Sequence, residues 1–275
     1  MPNWCYNDIN IEGKAGKVHE FLTKLVGKAQ KLFESHDDSM KHMLEMTLEE
    51  RIIALKELTE AQEESLTYSI LVPQPENILA DGGEEWYSWR IANWGVKWDI
   101  DDTTADIEYI RQITKEVALK NPDEMYSNAL LNYDTPWSAP YAFFQKVSKD
   151  FELKFVIYSS EPGDAFFSHV EIENGEIHHI FETRGEMVWR CYEAKVGLDD
   201  NSFIDILISF MNDYIDTLME HKDSQELPCY VDQQLEYLKA YLSDNKEKID
   251  LKDFKVEALK YFSEEIVDKI CSKLI

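Results

Sequence analysis

The chain has 275 residues, of which 44% are apolar and 12% aromatic. That is long enough to bury a sizeable core and too hydrophobic for disorder. Acidic residues outnumber basic ones 54 to 28, for a formal net charge of −26. A field of that sign repels phosphate backbones and anionic lipids, so neither direct duplex DNA binding nor membrane docking is expected. No apolar run approaches the roughly 20 residues that span a bilayer. Residues 1–5 lack the basic and apolar regions of a secretory signal. Cys5, Cys191, Cys229 and Cys271 are scattered without a CxxC pair. Buried free thiols in a reducing cytoplasm are the reading, with disulfides as the alternative.

In chain order, Trp4 to Ile11 reads as a strand closed by Gly13. Cys5, Asn7, Ile9 and Ile11 alternate with Trp4, Tyr6, Asp8 and Asn10, and the first set can face a core. Val18, Phe21, Leu22, Leu25, Val26, Ala29, Leu32 and Phe33 then recur at helical spacing, which predicts an amphipathic helix over 15–34. Residues 34–66 hold ten acidic and three basic residues and read as a helical insertion. Leu48, Ile52 and Leu55 give it a thin apolar stripe, and Thr47 with Glu50 forms a capping box. Met40, Met43 and Met46 before it fit core gaps, with a plastic contact surface as the alternative.

Tyr68 to Val72 reads as a short strand closed by Pro73 and Pro75. Four of the seven tryptophans follow within 86–98, at 86, 89, 94 and 98, with Gly95 interrupting them. This stretch predicts a compact loop or turn anchored by its aromatic residues, with Trp94 and Trp98 largely buried. Thr104 to Lys120 reads as a helix stopped by Asn121-Pro122, and Ala129 to Tyr133 as a strand. Residues 134–140 form a turn into a helix carrying Tyr141, Phe144 and Val147. Leu153 to Ser159 alternates as a strand. Phe167 to Ile172 and Glu176 to Phe181 flank Asn174-Gly175, a type I′ hairpin signal that places Ile172 opposite Ile177. From Asp199 the pattern is helical, beginning with the stripe from Phe203 to Leu218, and this tail holds 18 acidic and 9 basic residues. Its apolar stripe predicts docking on the main body or on a second copy of the chain.

Three motifs, in order, resemble one family. They are Met1-Pro-Asn-Trp-Cys-Tyr-Asn7, Trp89-Arg-Ile-Ala-Asn-Trp-Gly-Val-Lys-Trp-Asp99 and Thr135-Pro-Trp-Ser-Ala-Pro140. Together they are similar to the Api92-like proteins of phages and plasmids, which carry a YubB ferredoxin-like domain. The resemblance covers roughly residues 1 to 182. It implies an α+β class, a ferredoxin-like antiparallel sheet packed by helices, and an origin in a mobile element of a bacterial host. It supplies no catalytic residues, because the family has no settled activity. The chain departs from the pattern at Val96, where threonine is common, and at Ala139, where proline is common. The insertion at 34–66 and the tail look like additions. The expected organisation is an α+β domain over 1–198 and an acidic helical region over 199–275.

No catalytic constellation stands out. His178 and His179 are adjacent, so on a strand they point to opposite faces and cannot share a metal. Asp99, Asp101 and Asp102 have the oxygen ligands for Mg²⁺, but acids at a solvated helix N-terminus, favoured by the helix dipole, are the preferred reading. No cofactor and no metal site is therefore expected, and Cys5 reads as packing. Trp86, Trp89, Arg90, Asn93, Lys97, Asp99 and Trp137 form the candidate binding constellation, able to stack on and hydrogen-bond a base or peptide, or simply to tie loop to sheet. Two functions are expected. One is a non-enzymatic interaction protein, cytoplasmic in a bacterial host, which uses an acidic surface at Glu57, Glu60, Glu63 and Glu64 to bind and inhibit a host protein with a basic surface. The other is a nucleic-acid-associated or processing protein that uses the sheet face and the tryptophan-rich stretch.

Overall fold

The structure is a computed structural model. It describes residues 3–34, 37–100, 107–161 and 166–183, with isolated positions beyond them from 189 to 271. The chain divides into two compact units: Met1–Asp164 with Ser168–Glu182, and Ala165–Phe167 with Thr183–Ile275. Of the helices expected after Asp199, only isolated positions between 255 and 271 are described, most of them helical; the rest lie outside the described residues, as do Asp101 and Asp102. No helix among the described residues is long and apolar enough to cross a membrane.

The first unit is α+β, as expected. Its central strand is β1 (Trp4–Lys14). The alternation read from the sequence holds: Cys5, Asn7, Ile9 and Ile11 are buried, and Trp4 and Tyr6 are exposed. The strand runs past Gly13, with a register shift between Ile11 and Gly13 where it was expected to end. On one side β1 pairs antiparallel with β4 (Met125–Pro136), setting Ile9 against Leu131 and Trp4 against Pro136. On the other it pairs antiparallel with β5 (Lys154–Glu161), setting Ile9 against Ile157. The strands β4 and β5 therefore run parallel to each other and need a crossover, which α6 (Tyr141–Phe151) supplies. The sheet order is β4-β1-β5-β6-β7, with β6 (Phe166–Glu173) and β7 (Glu176–Thr183) at its far edge. Asn174 (φ 52°) and Gly175 (φ 83°) turn the hairpin between them in the left-handed region a type I′ turn requires. Ile172 is buried and Ile177 packs on the same core, as the expected register demands.

Helix α1 (Ala15–Lys24) lays Val18, Phe21 and Leu22 on the sheet. Phe143, Phe144, Val147 and Phe151 of α6 fill the space beside them, and Phe21 meets Phe151 and Phe155 edge-on at 5.3 Å. Helix α5 (Ile107–Lys120) lies along α1, with Thr114 Oγ1 3.3 Å from His19 Nδ1. The expected helix over 15–34 stops ten residues early. Val26–Gly27 leave it to pair, as β2, with β3 (Ser65–Leu66). Gly27 lies under Ile70, where a Cβ would sit 2.7 Å from the isoleucine side chain. The helical periodicity beyond Leu25 is therefore not read by one helix. Leu32 and Phe33 instead enter a second apolar cluster with Met43, Leu55, Leu79 and Ala80.

That second cluster is the core of the insertion. Helix α2 (Leu48–Glu60) starts with the expected capping box: the Thr47 hydroxyl accepts from Glu50 N–H at 3.3 Å, and Thr47 N–H donates to the Glu50 carboxylate at 2.8 Å. Met43 is buried, and Met40 and Met46 pack on the cluster, so the methionines fill core. Leu48 is exposed, which leaves Ile52 and Leu55 to carry the stripe. Arg51 ties the insertion down through its stem: Nε donates to Met43 O at 2.9 Å, and Cζ lies 4.6 Å from the centroid of the Phe33 ring. The strand expected at 68–72 is a single 3₁₀ turn, Tyr68–Ile70. Its N-terminus is held by Thr67 and Asp99, whose side chains accept from Ser69 N–H and Tyr68 N–H.

Candidate functional site

The tryptophan-rich stretch is half helix, where a loop was expected. After α3 (Glu76–Asp81), helix α4 (Glu85–Asn93) places Trp86, Trp89, Arg90 and Asn93 at i, i+3, i+4 and i+7, on one face. That spacing was legible in the sequence, and the clustered tryptophans and Gly95 obscured it. Gly95 ends the helix at φ +85° and lets the chain double back; its N–H donates to Arg90 O and Ile91 O at 3.1 Å each. A side chain there would meet Ala139 O at 3.1 Å.

The doubling back makes α4 a joint between the two cores. Trp86 packs on the insertion cluster, while Trp89 and the fully buried Trp94 belong to the main core. Arg90 lies between them at 6% exposure, its Cζ 4.8 Å from the Trp94 ring centroid and 5.3 Å from that of Trp86. The guanidinium Nε donates to Gln74 Oε1 at 2.9 Å, and Nη1 to Lys97 O at 3.4 Å. Gln74 is itself locked: its N–H donates to Gln30 Oε1 at 2.7 Å, and its amide to Trp86 O at 3.3 Å. The Trp94 indole N–H donates to Val72 O at 2.9 Å, so this buried donor is satisfied internally.

Asp99 is not the solvated helix-end acid expected from the sequence. Its carboxylate turns inward and accepts from Thr67 Oγ1 and Tyr68 N–H at 2.6 Å and from Ile100 N–H at 2.9 Å. Burial raises its pKa, against the three hydrogen bonds and the Arg90 charge, which lower it. Burial likewise brings the Arg90 guanidinium down to about 10, with Asp99 and Glu34 opposing. Beside the pair opens a cleft of about 400 Å³, lined by Arg90, Trp98, Asp99, Glu34, Asp37 and Gln62 among others. Its wall carries charges of both signs, but the Arg90 and Asp99 heads bond to the protein.

A second assembly forms at the surface. Trp98 is half-buried, where it was expected to be largely buried. Its ring lies 5.8 Å from Trp137 and 6.4 Å from Trp4, which are 49% and 37% exposed. Lys97 sets its ammonium 5.1 Å from the Trp98 centroid and 5.3 Å from that of Trp137.

The structure of protein api92 from Yersinia pseudotuberculosis, of family model DUF1281, aligns with a TM-score of 0.41 at 11% identity. The alignment covers 66% of this chain and 98% of that one. No family model matches the chain, and no curated protein matches it.

The candidate binding residues thus fall into three places. Trp86 and Arg90 meet in the joint and Asp99 lines the cleft beside them; Lys97 and Trp137 meet at the surface. Trp89 and Asn93 line a shallow groove of about 670 Å³ with Lys146, whose ammonium lies 6.0 Å from the Trp89 centroid and donates to Asn93 Oδ1. Residues that sequence reasoning did not single out, Gln74, Thr67, Tyr68, Lys146 and Trp4, complete these sets. Only Trp4 had a signal, as the first residue of the outward face of β1. Of the acidic set, Glu57 and Glu60 lie on α2, whereas Glu63 and Glu64 follow its end, and all four are exposed. Glu60 pairs with Lys28 at 3.0 Å. Cys5 is buried, and burial pushes its thiol up to about 12, the opposite of what a nucleophile needs. Among the described residues, no group of three or more His, Cys, Asp or Glu side chains is placed to hold a metal ion.

Proposed function

We propose that this chain is a non-enzymatic interaction protein of the Api92-like phage and plasmid type, with a YubB ferredoxin-like domain. It acts in the cytoplasm of a bacterial host, where it binds and inhibits a host protein with a basic surface, either a defence enzyme or a nucleic-acid-handling one. The observation that carries this reading is charge: 54 acidic against 28 basic residues, with ten acidic and three basic in the insertion alone. Carboxylates fixed on a folded surface stand in for phosphates and match a cleft built for nucleic acid. Affinity for nucleic acid itself comes mainly from cations that release phosphate counterions, and here the balance is reversed. Glu57 and Glu60 project from a helix pinned at one end by its capping box, so their positions are set before a partner arrives. Such charge complementarity raises the on-rate and selects the partner more than it raises affinity.

The test is a gel shift with duplex DNA beside capture of a partner from host lysate, followed by kinetics with the purified partner. Replacing Glu57, Glu60, Glu63 and Glu64 by lysine should slow association and leave the fold intact. Raised salt should do the same, since surface charges are screened beyond about 8–10 Å at physiological ionic strength. Tight DNA binding with no partner recovered would refute the reading and favour a nucleic-acid-processing role.

A further inference from the structure

Three non-glycine residues among those described have positive φ: Trp137, Glu152 and Asn174. Asn174 makes a hairpin turn and Glu152 caps α6, both ordinary uses of that conformation. Trp137, at φ 63°, is different, because a bulky aromatic residue rarely adopts it. The surrounding turn imposes it. Trp137 N–H donates to Asn3 O at 2.9 Å, Thr135 Oγ1 to Ser138 O at 2.6 Å, and Ser138 Oγ to Gly95 O at 2.9 Å. All this holds in place an indole that is half in solvent. Strain kept up for an exposed side chain points to a use for that side chain.

The use is suggested by what already lies on the rings. Lys97 holds its ammonium within 5.3 Å of two indole centroids, the geometry of a cation over an aromatic face, and Trp4 extends the same surface. Two acidic residues lie along the same strands: Tyr6, 51% exposed, shares the outward face of β1 with Trp4 and Asp8 and stands in register with Asp134 of β4. The negative faces of the indoles, on a chain of net charge −26, suit a cation better than a phosphate.

We propose that Trp4, Trp98 and Trp137 form a docking site for a cationic side chain, preferentially arginine, from a basic segment of a partner protein, and that this side chain displaces the Lys97 ammonium that occupies the site in the free chain. Arginine is favoured because its planar guanidinium stacks on indole and is more weakly hydrated than an ammonium. The inference rests on the proposed basic partner but uses none of the residues of the α2 surface. Lys97 acts as a built-in competitor, since the incoming cation must remove it from the rings and then lie beside its charge.

The experiment is calorimetric titration of the full chain with a short arginine–glycine repeat peptide, with a glutamate–glycine peptide and oligothymidylate as comparisons. The arginine peptide should bind and shift tryptophan emission. Trp137→Gly, which suits the turn, should weaken binding about tenfold, the loss of one desolvated cation–aromatic contact. Lys97→Met should tighten it several-fold, and this gain does not depend on how the glycine variant folds. Arginine-peptide binding indifferent to both substitutions would overturn the site. So would tighter binding of oligothymidylate, which would make the indoles a base-stacking surface. If the four lysine substitutions at Glu57, Glu60, Glu63 and Glu64 abolish peptide binding while Trp137→Gly does not, the basic-partner reading stands and this site falls. If the arginine peptide does not bind at all, this site falls, while the basic-partner reading stands or falls on the capture and gel-shift experiment.

Discussion

Trp94 and Trp137 are the same residue type in two neighbouring turns, and they are held in opposite ways. Trp94 has no exposure, its indole N–H is bonded to Val72 O, and an arginine lies over its ring. Trp137 is half exposed on a strained backbone, with a lysine over its ring. In the joint the cation is buried too, and Nε and Nη1 of Arg90 already donate to Gln74 and Lys97, so a ligand for those groups would compete with bonds of the fold. At the surface, the cation is a lysine on a flexible stem that can leave. The same pairing of indole and cation is thus structural in one place and exchangeable in the other, and burial decides which.

Substitutions that separate the two regions should show it. The largest effect is expected for Trp94→Ala. Truncating a fully buried indole leaves a cavity and an unpaired Val72 carbonyl, and should cost about 3–5 kcal/mol of stability. Urea denaturation measures it directly. An unchanged midpoint would mean that Trp94 is not the anchor its burial implies.

A smaller effect, with a pH signature, is expected for Asp99→Asn. The carboxylate accepts from Thr67, Tyr68 and Ile100, and an amide cannot accept from all three as well, so the loss should be about 1–3 kcal/mol near neutral pH. The raised pKa sets the sign of the pH dependence. The folded chain holds the Asp99 proton more tightly than the unfolded chain, so protonation favours folding. That contribution is fully present below the ordinary carboxyl value of 3.8 and is lost as pH rises through the raised folded value. Melts of both proteins across this range should give a steeper decline for the unsubstituted chain. Parallel curves would show that Asp99 is not desolvated and would remove the distinction between joint and surface.

Much of this fold was legible because its signals are local. The alternation of β1, the Thr47–Glu50 capping box and the Asn174-Gly175 turn each need only a few adjacent residues, and each forms as expected. What was not legible depended on distant partners. The apolar period through 15–34 looks like one helix, but Ile70 closes over Gly27 and sends Leu32 and Phe33 to another cluster. Tyr68 is drawn out of a strand by Asp99, thirty-one residues on. The candidate site suffered most. Seven residues close in sequence, or sharing a motif, were taken together, and the reversal at Gly95 splits them between interior and surface. Trp4 joins Trp98 across more than ninety residues, a contact that no spacing announces.

The smallest expected effect is the most informative. Trp137→Gly removes a large indole, and a loss of several kcal/mol would be the ordinary expectation for tryptophan truncation in a core. Two features argue otherwise. The side chain is 49% exposed, so much of its area is already in water and leaves no closed cavity behind. The backbone at φ 63° costs a non-glycine residue about 1–2 kcal/mol, which glycine recovers. Glycine also carries more conformational entropy in the unfolded chain, which returns about 0.5–1 kcal/mol of that gain. The net change should therefore fall within about 1 kcal/mol of zero, against the several kcal/mol lost at Trp94. Urea midpoints for the two variants, measured side by side, test the contrast. A loss at Trp137 as large as that at Trp94 would show that both indoles are structural, and that the surface cluster is part of the core's rim with nothing held ready for a partner.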